Sequence, residues 1–152
     1  MRMPMLSADP SFRLLAICSC VLVLESLVLA AITPAKRAKH KGFMNPEDGK
    51  VSFGDARMVE GAEHPETARV QRAHRNLLES LPLFFGLGLV YVLAGAPVLG
   101  AQICFIGFTA ARVVHAFVYL HALQPWRTIA YALGSFCLIG MIVMILRAVL
   151  MG

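Results

Sequence analysis

Three short stretches of this chain set side chains capable of binding and proton-transfer chemistry at helical spacing. Arg72, Arg75, Asn76 and Glu79 stand at i, i+3, i+4 and i+7, Arg112, His115 and Tyr119 at i, i+3 and i+7, and Arg127 and Tyr131 at i and i+4 with Thr128 beside them. Residues so spaced share one face of an α-helix. Several guanidiniums with an amide, hydroxyls and one carboxylate suit a small, very polar anion that also carries an amine, because guanidinium grips carboxylates through paired hydrogen bonds. His74 falls off its stripe.

The elements that position these residues are membrane spans. The chain of 152 residues has room for one domain, is 58% hydrophobic and only 15% charged, and has a mean hydropathy of +0.69, a balance foreign to soluble domains. A bilayer core needs roughly 20 mostly apolar residues as a helix. Phe12–Thr33, Arg72–Gly95, Val98–Ala122 and Pro125–Leu150 meet that requirement. "LAA" near Ala31 resembles a signal cleavage site, but Glu25 interrupts the run, so the first segment is read as a span. "AGAPV" and "LQP" are too short for anything but antiparallel hairpins. The fold class is therefore an all-α integral membrane protein, an antiparallel four-helix bundle within one domain, 1–152. The polar segment 34–71 holds half of the Lys and Arg and is expected on the cytoplasmic side. Pro34, Gly42, Pro46, Gly49, Gly54, Gly61 and Pro65 predict a turn-rich excursion there.

Up-and-down threading brings the polar stripes to one leaflet. Glu25 in the first span, Arg72 to Glu79 in the second, Arg112 to Tyr119 in the third and Arg127 to Tyr131 in the fourth all fall in the cytoplasmic half. Arg112 lies roughly 15 Å in from its span's end at 1.5 Å rise per residue, too deep to snorkel out. It needs a carboxylate partner, and Glu79 and Glu25 lie at comparable depth. Charges at that depth face a cavity, a partner or a substrate. Plainer readings also stand: Arg69, Arg72 and Arg127 as topology anchors, Tyr91 and Tyr131 as interfacial belt residues, and His40, His64, His74 and His121 as solvated or headgroup-facing groups. The guanidiniums are expected to gather in one inward-facing, cytosol-side recess. Glutathione, with two carboxylates and an α-amine, matches that recess. Apolar helix walls suit a lipophilic second substrate. A guanidinium and a hydroxyl beside the sulfur favour the thiolate.

Other classes fit less well. A net charge of +5 invites nucleic acid, but that requires a basic soluble surface interleaved with aromatics, and here the bases flank membrane spans. Cys18, Cys20, Cys104 and Cys137 sit in apolar runs without metal-ligand spacing and read as small fillers, so no metal site is expected. A channel or transporter needs polar groups across the whole membrane, and these stop halfway.

The motifs "NPED" (Asn45–Asp48), "RAHRNLLE" (Arg72–Glu79), "RVVHAFVY" (Arg112–Tyr119) and "RTIAY" (Arg127–Tyr131) resemble those of the MAPEG family, membrane-associated proteins of eicosanoid and glutathione metabolism. The resemblance covers essentially all four spans. It implies a homotrimer of four-helix subunits embedded in the lipid bilayer, with glutathione held between neighbouring subunits near the cytoplasmic face. By position it implies that Arg37, Arg75, Asn76, Glu79, His115, Tyr119, Arg127 and Tyr131 contact the tripeptide and that Arg72 and Arg112 support the site. Arg127 would lie beside the sulfur, with Asp48 as a carboxylate working with it. Two departures stand out: Thr128 replaces the serine that donates to the thiolate in the family's isomerases, and the linker before Trp126 is one residue short. The expected activity is glutathione-dependent transfer to lipophilic electrophiles or peroxides. The alternatives are isomerisation of an endoperoxide such as prostaglandin H2 and a non-catalytic lipid-binding scaffold. A bacterial plasma membrane and an endoplasmic reticulum fit equally.

Overall fold

In the computed structural model, residues 8–40, 42–43, 57–58 and 63–151 are described. Four helices run antiparallel: α1 (Pro10–Lys39), α2 (Pro65–Leu93), α3 (Val98–Leu120) and α4 (Trp126–Met151). Each is long and apolar enough to cross a membrane. α1 packs chiefly on α2, and α3 on α4. One two-residue parallel pairing, β1 (Gly42–Phe43) with β2 (Arg57–Met58), ties the polar segment to itself.

The sequence signals explain the helix starts. Asp9 caps α1, its carboxylate accepting from the Ser11 and Phe12 amides at 2.7 and 3.3 Å. Pro65 begins α2 instead of breaking a helix, since a proline at the first helical position gives up only an amide that has no helical partner. The second helix thus starts seven residues before Arg72. Pro34 likewise does not end α1, which continues to Lys39. A proline costs that helix the bond to the Ala30 carbonyl, a loss tolerated in membrane helices whose neighbours re-satisfy the backbone. The turn-rich expectation is therefore corrected at both ends of 34–71.

The two short connections between helices share one device. At the end of α2, Gly95 takes φ 63°, and the Ala96 and Gly95 amides bond back to Tyr91 and Val92 at 3.3 and 3.1 Å. At the end of α3, Ala122 takes φ 59°, with Leu123 and Ala122 bonding back to Val118 and Tyr119 at 2.9 and 3.2 Å. Both are Schellman motifs, but the second places a Cβ in the left-handed region.

The core is aromatic at its centre. Phe84 stacks on Phe108 at 4.6 Å and meets Phe105 edge-on at 5.8 Å, while Tyr91 packs edge-on against Phe105 at 5.3 Å and donates to the Pro97 carbonyl at 2.8 Å. A π-helical turn, Gln102–Ile106, shifts the register of α3 just where it meets α4. There Cys104 packs on Gly140 and Cys137 on Gly107, so that added Cβ atoms would stand 3.1 and 2.9 Å from the sulfurs. Small residues let membrane helices approach this closely. All four cysteines are free; Cys18 and Cys104 fill the core as expected, whereas Cys20 is exposed.

Candidate functional site

The polar residues meet at the end of the bundle where α1 and α3 finish and α2 and α4 begin. At its floor is Arg112, 3% exposed. Its Nη1 donates to Asn76 Oδ1 at 3.0 Å, and its guanidinium lies over the rings of Phe108 and Tyr131, 5.1 and 5.2 Å from their centroids. Gly134 makes room for it: a Cβ there would already touch Nε and Nη2 at 3.4 Å. The expected carboxylate partners make no direct contact with it. Among the described residues no carboxylate forms an ion pair with Arg112. Glu79 is exposed on the outer side of α2, and Glu25 is within electrostatic reach while both its oxygens, like Arg112 Nε, are buried without a hydrogen-bond partner. An amide oxygen and two π faces take the carboxylate's place, an environment a weakly hydrated guanidinium accepts.

Above this floor is an aromatic layer. His115, 5% exposed, packs against Tyr119 at 5.4 Å and Tyr131 at 6.0 Å. The Arg127 guanidinium lies 4.9 Å from the Tyr119 centroid. Asn76, Arg112, His115, Tyr119, Arg127 and Tyr131 therefore form one continuous cluster spanning α2, α3 and α4, with Arg127 at its half-buried rim. With the Gln124 amide turned to suit its neighbours, its oxygen accepts from Arg127 Nε at 3.2 Å and Nη2 at 2.7 Å. Thr128 Oγ1 stands 3.3 Å from the same amide. Gln124 thus orients both residues read as thiolate-facing. Sequence reasoning missed it, although its place three residues before Arg127 in the tight α3–α4 turn was a usable signal.

The remaining predicted residues lie elsewhere. Arg72, Arg75 and Glu79 form an exposed stripe on α2 and make no ion pair among the described residues. Within the cluster's outer edge, Thr128 is exposed and Tyr131 is 46% exposed. A single chain therefore does not enclose one inward recess; it presents a cluster buried at Arg112 and His115 and open at Arg127 and Tyr131 and, separately, an outward charged stripe. Helical periodicity defines which residues share a stripe but not which way the stripe points. Arg37 is ion-paired with Glu63, Nε to Oε1 at 2.6 Å. Asp48 and the rest of "NPED" lie outside the described residues. Of the histidines read as solvated, His74 bonds Ser26 Oγ at 3.0 Å and His40 stacks on His64 at 3.5 Å.

Comparison with known proteins matches this chain to one family. A sequence model of the MAPEG family matches residues 15–147. The prostaglandin E synthase of Mus musculus is 38% identical over 138 residues, covering 90% of this chain and 86% of its own length. That of Bos taurus is 37% identical over 127 residues, covering 83% and 79%. The microsomal glutathione S-transferase 1 of Rattus norvegicus is 34% identical over 131 residues, covering 84% of each.

Proposed function

The chain belongs to the MAPEG family, and from that premise we propose that it is a glutathione-dependent multi-pass membrane enzyme that activates the tripeptide's thiolate, joining the whole tripeptide through sulfur to lipophilic electrophiles with loss of the leaving group, or reducing lipophilic peroxides to alcohols at the cost of two glutathiones oxidised to the disulfide. The observation that carries the reading is the continuous Arg112–Tyr131–His115–Tyr119–Arg127 cluster, a graded path from a buried cation to a half-buried one. Its donor set fits the ligand. Glutathione has two carboxylates for guanidiniums, an amine for a carboxylate, and a sulfur that a guanidinium and a hydroxyl favour as the anion. When bound, it supplies the thiol nucleophile.

The protein's own groups have separable tasks. Arg127, held by Gln124 and braced on Tyr119, offers positive charge at the sulfur, with the Thr128 hydroxyl as a second donor. Stabilising a nucleophilic anion with a preorganised cation is the largest contribution available here. His115, Tyr119, Tyr131 and Asn76 line the cluster, and Arg112 supplies a fixed positive field beneath them. Arg72, Arg75 and Glu79 have no business facing lipid, where a charge costs several kcal/mol. Their exposure on one chain supports a homotrimer, in which this stripe meets the cluster of a neighbour and the two halves grip glutathione's charged ends. Arg37 joins that grip from the end of α1. Asp48 would act beside Arg127. The site would face the cytoplasm, and the apolar helix faces would admit the lipophilic substrate from the bilayer.

Identity to relatives named prostaglandin E synthase favours a second reading: isomerisation of an endoperoxide with no net thiol consumption, Arg127 and Asp48 moving protons. Product analysis separates the two, a stable conjugate supporting transfer and turnover without thiol loss supporting isomerisation. The test of the leading role assignment is conjugation of glutathione to a generic aryl halide by wild type and Arg127→Ala. Loss of kcat by about 10²- to 10³-fold is expected; equal turnover would show that Arg127 is not the sulfur's partner.

A further inference from the structure

The binding role of Arg37 has a resident competitor. The Arg37 guanidinium is already engaged by a carboxylate of its own chain, Glu63 Oε1 at 2.6 Å, in a pair whose side chains are 20% and 10% exposed. Glu63 is not a passing loop residue. The next residue, His64, caps α2 by accepting the Glu66 amide on its ring nitrogen at 3.3 Å and stacks face to face on His40 of α1's end, 3.5 Å between ring centroids and 14° from parallel. Glu66 then bonds Lys36 Nζ at 2.7 Å and lies 3.4 Å from His40 Nε2. Three consecutive contacts therefore clamp the entrance of α2 onto the end of α1, and the clamp delivers the Glu63 carboxylate to Arg37.

We propose that Glu63 is an affinity-setting residue, a built-in carboxylate that occupies Arg37 in the free protein and opposes the incoming carboxylate of an anionic substrate. The inference rests on the reading of Arg37 as part of the glutathione grip. Whether the ligand displaces Glu63 or shares the guanidinium with it, two carboxylates beside one cation repel at short range. Neutralising Glu63 without changing its shape therefore strengthens binding. The opposite role, Glu63 orienting Arg37 for the ligand, predicts the opposite sign.

The experiment is calorimetric titration of glutathione into the full-length, detergent-purified protein as wild type, Glu63→Gln, Arg37→Gln and the double variant. Glu63→Gln is expected to tighten glutathione binding about three- to five-fold, the size of one partly exposed ion pair. In the Arg37→Gln background the same change is expected to have no effect, because the competition needs the guanidinium. Glutathione ethyl ester, with one carboxylate masked, shows whether that carboxylate is the one opposed: the gain disappears if it is. A Glu63→Ser variant with unchanged thermal midpoint guards against a folding effect. Wild-type binding with unaltered or weakened affinity in both Glu63 variants overturns this proposal alone. Absence of saturable binding by the wild type overturns the functional reading and this proposal together.

Discussion

Replacing Asn76 tests whether the floor of the site is held as its geometry implies. Its Oδ1 is the sole hydrogen-bond acceptor for the buried Arg112 guanidinium among the described residues, at 3.0 Å, and Arg112 Nε already lacks a partner. In water-soluble proteins a hydrogen bond to a charged group contributes about 1.5–3 kcal/mol. In a membrane the unfolded reference finds other partners, which lowers such bonds to about 0.6–1.7 kcal/mol. Asn76→Ala removes the guanidinium's one hydrogen bond in a site that is 3% exposed, so a loss near the top of that range, about 1.5 kcal/mol, is expected. A domain of this length then loses about 3–6 °C in thermal midpoint. The assay is detergent-phase denaturation of wild type, Asn76→Ala, Arg112→Leu and the double variant. The reasoning requires that Asn76→Ala cost little once Arg112 is gone. An equal cost in both backgrounds would refute it, because the stability would then come from Asn76 packing and not from the bond.

Other outcomes follow from the same geometry. Ala122→Gly relieves a left-handed Cβ that costs about 1–2 kcal/mol and adds unfolded-chain entropy worth about 0.4–1, so a net gain near 0.5 kcal/mol is expected on denaturation; Gly95→Ala at the equivalent position, φ 63°, is expected to destabilise. Gly100→Ala drives a methyl into the Tyr91 hydroxyl that bonds Pro97, and a loss of about 1–3 kcal/mol is expected from overpacking, read as a lowered midpoint. Gly134→Leu collides with Arg112 whereas Gly134→Ala only touches it, so conjugation activity should survive the second change and not the first.

Much of the architecture is readable because a membrane span needs a long apolar run. α1 to α4 satisfy that requirement by composition alone, and the hairpins follow from linkers too short for any other path. The ends were harder. Pro34 and Pro65 carry the same local signal, yet one lies inside a helix and the other starts one, because position within the turn and neighbouring helices decide what a proline does. The site was legible as residue types and stripes. Its partners were not: Glu63 on Arg37, Gln124 on Arg127 and Asn76 on Arg112 join residues brought together by the chain's turns. Depth in the sequence marked Arg112 as unusual, and of the two carboxylates expected near it Glu25 lies within electrostatic reach without a direct ion pair, while an amide oxygen and two aromatic faces make the close contacts. The direction of the Arg72–Arg75–Glu79 stripe depends on how α2 is rotated in the bundle, which the spacing of its own residues does not specify.

Whether one chain's stripe completes another chain's cluster is decided by mixing subunits. Arg75→Ala and Arg127→Ala, each inactive alone in the conjugation assay, are to be co-expressed with separate tags and the mixed oligomers purified. Restored activity in the mixed assembly is expected, since some interfaces would pair an intact Arg75 with an intact Arg127. Mixed oligomers that stay as inactive as either parent would contradict a site shared between subunits.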